Sequence, residues 1–292
     1  MTGALPAYPT FGEWSRLRYG SQVRKVMVNA GFTCPNRDGR KGVGGCIYCN
    51  NAAFSPLLEG SVKEQALKQI GSMKKPPHNV IVYFQPFSNT YAPAEKLRRI
   101  YAEALEVPGV VAIAIGTRPD CIDTDVMTVI DEISQRVDVF LEIGVQSAND
   151  GTLARINRGH TWAGTEAAFK LVASHQKILT VAHLIIGLPG ENRADMLATA
   201  KAVANLRPHG IKLHHLHVVK DTKLAEEYAA GRVKMLTADE YVPLAVETIK
   251  AFPPDTVLHR LMGETLGRSL IAPRWAESKQ EISSRILAGV RS

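Results

Sequence analysis

The chain has 292 residues, of which 45% are hydrophobic and 22% charged, and its formal net charge is +7 at pH 7. This composition suits a globular protein with one large core, and no segment approaches the ~20 apolar residues of a membrane helix. We therefore expect a soluble, cytoplasmic protein that does not bind membranes. The positive charge fits either a polyanionic partner such as nucleic acid or a solvated basic surface.

Apolar runs of strand length recur along the chain, at residues 23–28, 80–84, 110–115, 137–145, 179–186 and 213–219. Segments with helical spacing lie between several of these runs, at residues 62–70, 94–105, 162–172 and 194–206. The alternation predicts a parallel sheet with right-handed crossovers. Beyond the sixth strand, the pattern predicts helices at 237–251 and 276–290 and an extra edge strand at 257–263.

Polar or glycine-rich residues follow the predicted strands, at 34–49, 85–90, 116–120, 146–147, 187–191 and 220–222. A doubly wound sheet and a β/α barrel both fit the periodicity, but the loops after each strand favour a barrel, where they build the site. Glu142 and His183 each lie on one face of an otherwise apolar strand. They are expected either to line a barrel interior that faces a polar ligand or to be satisfied within the core.

Three of the four cysteines, Cys34, Cys46 and Cys49, form a Gly-rich loop directly after the first predicted strand. Such a cluster is more typical of a metal site than of disulfides. Thiolates suit an iron–sulfur cluster or zinc, and zinc would take a fourth ligand, for which Cys121 is the candidate. No histidine follows at finger-like spacing, so we favour a 4Fe-4S cluster with one iron open to S-adenosylmethionine. One-electron cleavage of that cofactor yields a 5′-deoxyadenosyl radical.

Six motifs in order then resemble the bacterial YhcC-like (MnmL-like) family of radical S-adenosylmethionine (radical SAM) proteins, over about residues 20–275. They are GFTCPNRDG (31–39), YFQ (83–85), IGTRPDC (115–121), GVQS (144–147), INRGH (156–160) and GLPGE (187–191). The resemblance extends to the Elongator catalytic subunit and to oxygen-independent coproporphyrinogen oxidase. It implies an α/β fold with a six-stranded partial β/α (TIM-like) barrel of radical SAM type. We expect an N-terminal segment at 1–19, a radical SAM core at 20–252 and a C-terminal extension packed on the core at 253–292.

The resemblance also implies residues that bind S-adenosylmethionine: Tyr48, Asn89, Thr90, Gln146, Arg158 and His183. Gln146 and Arg158 fall where side chains hold the methionine end, and an arginine is suited to pair with its carboxylate. Tyr48 falls near the adenine and His183 near the ribose. Asn89 and Thr90, after the second predicted strand, fall near the amino group of the cofactor. The sequence departs from the superfamily pattern at 85–90, where Gly-Gly-Glu is absent, and at Gly116, where relatives carry glutamate. No catalytic residue is implied.

For the substrate, the resemblance implies tRNA, with modification of the C5 side chain of the wobble uridine. It further implies an electron donor such as a flavodoxin or ferredoxin. Where this enzyme does not finish the modification alone, a partner enzyme completes it. Two alternatives stay open: a radical SAM enzyme that acts on a small metabolite or protein, and a non-catalytic RNA-binding or adaptor protein with a structural metal site. His215 and His217, which share a face at period two, are a weaker candidate for a second metal site.

Overall fold

The computed structural model describes residues 5–53, 58–265 and 269–292. Seven strands form one sheet in the order β1-β2-β3-β4-β5-β6-β8, and every neighbouring pair is parallel. They are β1 Val23–Val28, β2 Asn79–Phe84, β3 Val110–Thr117, β4 Asp138–Gln146, β5 Ile178–Ile186, β6 Gly210–His215 and β8 Val257–Arg260. Because β1 and β8 are the two edges of this curled sheet, the barrel is partial. The predicted architecture is confirmed.

The predicted run at 213–219 is wrong as a single strand. β6 ends at His215, and residues Val218–Val219 form a separate strand, β7, which pairs antiparallel with β9, Leu270–Ala272. The backbone N–H of Leu216 donates to the carbonyl of Ile186 at 3.0 Å, and the chain then leaves the barrel. The apolar residues of this run are buried on both sides of the break. Their pattern therefore does not reveal that the chain pairs with a different strand after β6. The predicted edge strand at 257–263 is confirmed over its first four residues as β8, which ends at Arg260.

Helices connect the strands in the order expected of repeated βα units. They are α1 Phe11–Tyr19, α2 Val62–Gly71, α3 Ala94–Leu105, α4 Thr124–Ser134, α5 Asp150–Arg155, α6 Trp162–Ala173, α7 Arg193–Asn205, α8 Lys223–Ala229, α9 Ala238–Lys250 and α10 Lys279–Arg291. The predicted helices are confirmed to within three residues at each end, and α1, α4, α5 and α8 were not predicted. Local signals fix several boundaries: Thr237 with Glu240, and Ser278 with Glu281, form capping boxes at the starts of α9 and α10.

Helix α1 closes the end of the barrel where the strands begin. The rings of Phe11 and Trp14 meet Phe140 edge-on at centroid distances of 5.6 and 5.7 Å. At the end of the helix, Arg18 and Tyr19 both bond to the carboxylate of Asp138, the first residue of β4. With this end filled by aromatic side chains, the interior opens only toward the carboxyl ends of the strands. None of the helices in the described part of the chain has the length and apolar character that crossing a membrane requires.

Candidate active site

A cavity of about 380 Å³ occupies the carboxyl end of the partial barrel. Small-molecule and cofactor sites typically measure about 300–1,000 Å³. Its lining includes seven of the nine residues that the sequence singled out: Cys34, Cys46, Tyr48, Cys49, Gln146, Arg158 and His183. They come from the loop after β1, the end of β4, the segment after α5, and the middle of β5, so the parallel sheet gathers them at one end.

The other two predicted cofactor residues, Asn89 and Thr90, do not line the cavity. The side-chain amide of Asn89 donates to the carbonyls of Phe84 and Gly116 at 3.1 and 2.8 Å. The Thr90 hydroxyl donates to the carbonyl of Cys121 at 2.5 Å. Both side chains are fully buried and brace the loop after β2 against β3. Their contact with the cofactor stays a prediction.

The cysteine loop is held in place by buried polar contacts to the segment after α5. The side-chain amide of Asn36 donates to the carbonyl of Asn157 at 2.5 Å, and Asn157 in turn donates to the carbonyl of Gly45 at 2.8 Å. A Cβ on Gly42 would lie 2.2 Å from Oδ1 of Asn36, and Gly39 has a φ of 89°. Gly44 and Gly45 also have a positive φ, so all four glycines in this loop are required for close approach or a left-handed turn.

Arg158 links the cysteine loop to the end of β4. Its Nη1 lies 3.6 Å from Sγ of Cys46, and its Nη2 donates to the carbonyl of Gly144 at 2.6 Å. Burial by itself would raise the pKa of Cys46, but the charge and hydrogen bond of Arg158, the charge of Arg118 and the nearby hydroxyl of Tyr48 together outweigh it and hold that pKa below its usual value. For Cys49, burial prevails and raises the pKa. Arg158 thus favours a thiolate at Cys46, the form that binds metal.

Glycine at position 144 leaves room for this arrangement. A Cβ there would lie 2.7 Å from Nη2 of Arg158 and 2.8 Å from Nε2 of Gln146. Gln146 has a left-handed backbone, with φ of 70°, at a shift in the register between β4 and β5. A non-glycine residue in this region stores strain and is enriched at functional sites. The bulge turns the Gln146 side chain into the cavity beside Arg158.

A second arginine beside the cysteine loop, Arg118, was not predicted by the sequence. It is 2% exposed, pairs with Asp120 at 2.9 Å and donates to the carbonyl of Arg158 at 2.7 Å. Its Nη1 is buried and has no hydrogen-bond partner within the described residues. A buried N–H without a partner costs free energy unless a ligand accepts it. The only sequence signal for it was its place in the IGTRPDC motif.

The floor of the cavity is a charged network in the barrel interior. Glu142 is fully buried, forms an ion pair with Lys212, and accepts a hydrogen bond from Nε2 of His183 at 3.2 Å. Lys25 lies 3.8 Å from its other oxygen. Burial would raise the pKa of Glu142, but Lys212 and then Lys25 lower it well below its usual value. Of the two expectations for Glu142 and His183, the structure supports the first, because both line the cavity in the barrel interior. The sequence analysis missed Lys25 and Lys212 because a lysine within a strand carries no local sign of the carboxylate with which it pairs.

The predicted pair His215 and His217 does meet, but not on one strand. Their Nε2 atoms are 2.7 Å apart, and the His215 ring stacks on Trp275 at 4.2 Å. Burial lowers the pKa of His215 to about 2 and that of His217 to about 4, so both rings are neutral and one donates to the other. Such a pair belongs to the wall of the cavity, and within the described residues it is not part of a group of three His, Cys, Asp or Glu side chains that could hold a metal ion.

The residues around the cysteine loop fit a 4Fe-4S cluster better than zinc. Across residues 5–53, 58–265 and 269–292, no three His, Cys, Asp or Glu side chains surround one position for a single ion, as a zinc site requires. A 4Fe-4S cluster instead places each thiolate on a different iron. Cys121 does not line the cavity, and burial raises its pKa to about 12. Two buried arginines beside the loop suit both an anionic thiolate cluster and the carboxylate of S-adenosylmethionine.

Comparison with known proteins also indicates a protein that binds a 4Fe-4S cluster. The sequence model of the Radical SAM superfamily matches residues 32–203, and that of the Radical_SAM C-terminal domain matches residues 208–291. The chain is 38% identical to protein YhcC of Escherichia coli K12 over 272 residues, which are 92% of this chain and 87% of that protein. It is 32% identical to Elongator complex protein 3 of Schizosaccharomyces pombe over 155 residues, 52% of this chain and 28% of that one.

The fold matches a solved structure of Elp3 from the archaeon Methanocaldococcus infernus with a TM-score of 0.68 and 17% sequence identity. The alignment covers 91% of this chain and 63% of that one. At this identity the match concerns the fold alone, whereas the sequence matches concern the family. Proteins of the family use a 4Fe-4S cluster and S-adenosylmethionine as cofactors. The chain belongs to the radical SAM superfamily, in the group that includes YhcC, and is an enzyme with those two cofactors.

Proposed function

We propose that this enzyme modifies the C5 side chain of the wobble uridine in tRNA, with Cys34, Cys46 and Cys49 as the cluster ligands. The observation that carries the substrate is the sequence similarity to Elongator complex protein 3, which covers 52% of this chain. The net charge of +7 agrees with a nucleic-acid substrate.

The mouth of the cavity supports a polyanionic substrate. Arg37, an exposed residue of the cysteine loop, lines the cavity and donates to the carbonyl of Cys49 at 2.7 Å. Nδ2 of Asn50 donates to the carbonyl of Lys220 at 3.0 Å, which brings that exposed lysine beside the same loop. Arg40 is exposed on the same loop. Cations around the opening are suited to contact the phosphates of a nucleic acid. A single base of that nucleic acid, once it has left its stack, would then enter the cavity.

The chain's own residues would orient the cofactor. Arg158 is suited to pair with the carboxylate of S-adenosylmethionine, and Gln146 presents an amide beside it. We assign Tyr48 to the adenine end and His183 to the ribose, where burial lowers the pKa of His183 to about 4 and leaves a neutral ring for hydrogen bonding. When bound, the cluster and cofactor supply a 5′-deoxyadenosyl radical that removes a hydrogen atom from the substrate.

Two partners complete the proposal: an electron donor and, where the modification takes a further step, a partner enzyme. A one-electron donor of the flavodoxin or ferredoxin type supplies the reducing electron, since none of the protein side chains is a reductant of that strength. The two family matches span residues 32–203 and 208–291, and a chemistry that resembles MnmL, in which an aminomethyl group is created or trimmed, fits this radical SAM core.

The test compares modified nucleosides in tRNA from cells with and without the gene. We expect one C5-modified uridine to disappear at the wobble position and its precursor to accumulate. The purified, anaerobically reconstituted enzyme should then convert the accumulated tRNA and release 5′-deoxyadenosine. An unchanged nucleoside profile, together with 5′-deoxyadenosine formation by the purified enzyme, would contradict the tRNA assignment and favour a metabolite or protein substrate.

A further inference from the structure

One arginine in the cavity has no role in the cofactor assignment above. Arg260 lies at the end of β8, and its side chain lines the same cavity as the cysteine loop. Its Nη1 bonds to Nε2 of His214 at 3.0 Å. Among the residues that the structure describes, no carboxylate forms an ion pair with it. An arginine is always charged in proteins, so a cavity-facing guanidinium without a carboxylate partner is suited to an external anion.

His214 and Gly263 fix the direction of this guanidinium. Burial, and then the charge of Arg260, lower the pKa of His214 well below its usual value, so the ring is neutral. Its Nε2 therefore accepts a hydrogen bond from Nη1 of Arg260. A Cβ on Gly263 would lie 3.0 Å from Nδ1 of His214 and 3.1 Å from Cε1 of His217. The backbone is therefore packed closely around the ring that orients Arg260. The contact with His214 uses one of the five guanidinium N–H donors.

The acidic side chains near Arg260 already have partners of their own. Lys212, its register neighbour on β6, pairs with Glu142, and Lys25 lies 3.8 Å from the other oxygen of that carboxylate. Within the described residues, no ion pair joins Arg260 to Glu142. Glu264 also lines the cavity, but its Oε2 pairs with Lys279 at 2.5 Å. The positive charge of Arg260 is thus left over after the acidic side chains of this region have found partners.

S-adenosylmethionine does not account for this charge. Its one carboxylate is assigned to Arg158, whose guanidinium is bonded to the end of β4. Arg260 lies on β8, three neighbouring strands away in the order β4-β5-β6-β8. The two guanidinium groups are thus held by different strands, Arg158 by Gly144 on β4 and Arg260 by His214 on β6. We therefore assign Arg260 to a different ligand.

We propose that Arg260, oriented by His214, binds an anionic group of the substrate, a carboxylate or a phosphate, and positions the substrate across the cavity from Arg158. The inference deepens the proposed function, because it rests on the substrate entering this cavity. Uracil and ribose are uncharged, so in an RNA substrate the anion is either a backbone phosphate or a carboxylate on the C5 side chain. Arg260 would then select substrates that carry such a group and reject those that lack it.

The first experiment does not depend on tRNA. The reconstituted holoenzyme is treated with phenylglyoxal, which modifies accessible arginines, and the rate at each arginine is followed by peptide mass spectrometry. Acetate and inorganic phosphate are added at constant ionic strength as the two probes. We expect one of them to slow modification of Arg260 about tenfold at a concentration about ten times its dissociation constant. Arg136, an exposed arginine between α4 and β4 at the opposite end of the barrel, is the control and should react at an unchanged rate.

The anion that protects better identifies the source: acetate indicates a carboxylate and phosphate indicates a phosphate of the backbone. Modification of Arg260 at the same rate with either probe, over the full range in which they dissolve, would overturn the proposal. Protection of Arg260 in an enzyme that proves inactive on tRNA would uphold the anion subsite and refute only the tRNA assignment.

The second experiment measures turnover of tRNA from cells that lack the gene. We expect Arg260→Gln to raise KM at least about tenfold and Arg260→Lys to give an intermediate value, since lysine keeps the charge but not the planar fork. Arg136→Gln changes the net charge equally and should leave KM and kcat unaltered. Equal KM values for Arg260→Gln and Arg136→Gln would overturn the proposal, and the lysine variant guards against a loss caused by misfolding.

Discussion

Nη1 of Arg158 lies 3.6 Å from Sγ of Cys46, although 112 residues separate the two in the chain. The same guanidinium donates to the carbonyl of Gly144 and so ties the cysteine loop to the end of β4. One side chain therefore sits between the thiolates that we assign to the cluster and the bulge that presents Gln146. The predictions below test this arrangement and the interior that supports it.

Replacing any of Cys34, Cys46 or Cys49 by alanine should abolish the cluster, because each thiolate is expected to hold a separate iron. The measurement is iron content and visible absorbance after anaerobic reconstitution, followed by assay of 5′-deoxyadenosine. Cys121→Ala is the matched control and should retain both, since that thiol is buried and outside the cavity. A full cluster in any of the three loop variants would refute the ligand assignment.

Gly144→Ala should weaken binding of S-adenosylmethionine by about tenfold or more, equivalent to about 1.4 kcal/mol. The added methyl group would lie 2.7 Å from Nη2 of Arg158 and must displace it from the carbonyl that it contacts. Cofactor affinity is measured by equilibrium titration of the reconstituted enzyme. Gly164→Ala, in the first turn of α6, is the control: its nearest contact would be 3.6 Å, so affinity should not change. Equal affinities in the two variants would contradict the role of Gly144.

Glu142→Gln should lower the free energy of unfolding by about 3 kcal/mol, because it leaves the buried Lys212 without its carboxylate. For a chain of this size we expect Tm to fall by about 6 °C or more. Glu132→Gln, which removes an exposed ion pair with Arg98, should lower Tm by less than about 2 °C. The double variant Glu142→Leu, Lys212→Met should recover part of the loss, since it removes both charges. A Tm of Glu142→Gln equal to that of Glu132→Gln would show that the interior pair contributes no stability.

Asp138 should make the attachment of α1 depend on pH. Burial would raise its pKa, but hydrogen bonds from Arg18 and Tyr19 outweigh it and lower the pKa. A carboxyl group with a depressed pKa in the folded state adds stability above its unfolded pKa of about 3.9, and this stability is lost as the pH falls through the folded value. The Tm of wild type should thus exceed that of Asp138→Asn at neutral pH, and the difference should shrink as the pH falls below the unfolded pKa of about 3.9.

Thermal unfolding from pH 7 down to the acid limit of solubility measures this difference. Asp255→Asn, at an exposed position in the loop before β8, is the control and should match wild type throughout. Because Arg18 is 56% exposed, we expect the contribution of Asp138 to be about 1 kcal/mol, or roughly 3 °C in Tm. A Tm difference that persists unchanged at low pH would show that Asp138 acts through packing rather than charge.

The sequence by itself determined the repeated βα order, the metal-binding loop and the family, because these depend on local patterns. Apolar runs give the strands, and the spacing of Cys34, Cys46 and Cys49 lies within a single loop. His183 and Glu142 were also predictable as interior residues, since alternation along a strand fixes which face a side chain occupies. The helix at Phe11–Tyr19 was not predicted, because its apolar residues are few and its packing partner, Phe140, lies far along the chain.

Only the tertiary structure decided which charged residues share the cavity. Arg118 bonds to Arg158, Arg158 reaches the cysteine loop, and Arg260 meets His214, through contacts between residues 40 or more positions apart. In the sequence, Lys212 is a charged residue within an otherwise apolar strand. Only the structure shows that it pairs with Glu142 across the barrel. The physical reason is that a buried charge is tolerated only beside its partner, and a partner on another strand leaves no mark in the local sequence.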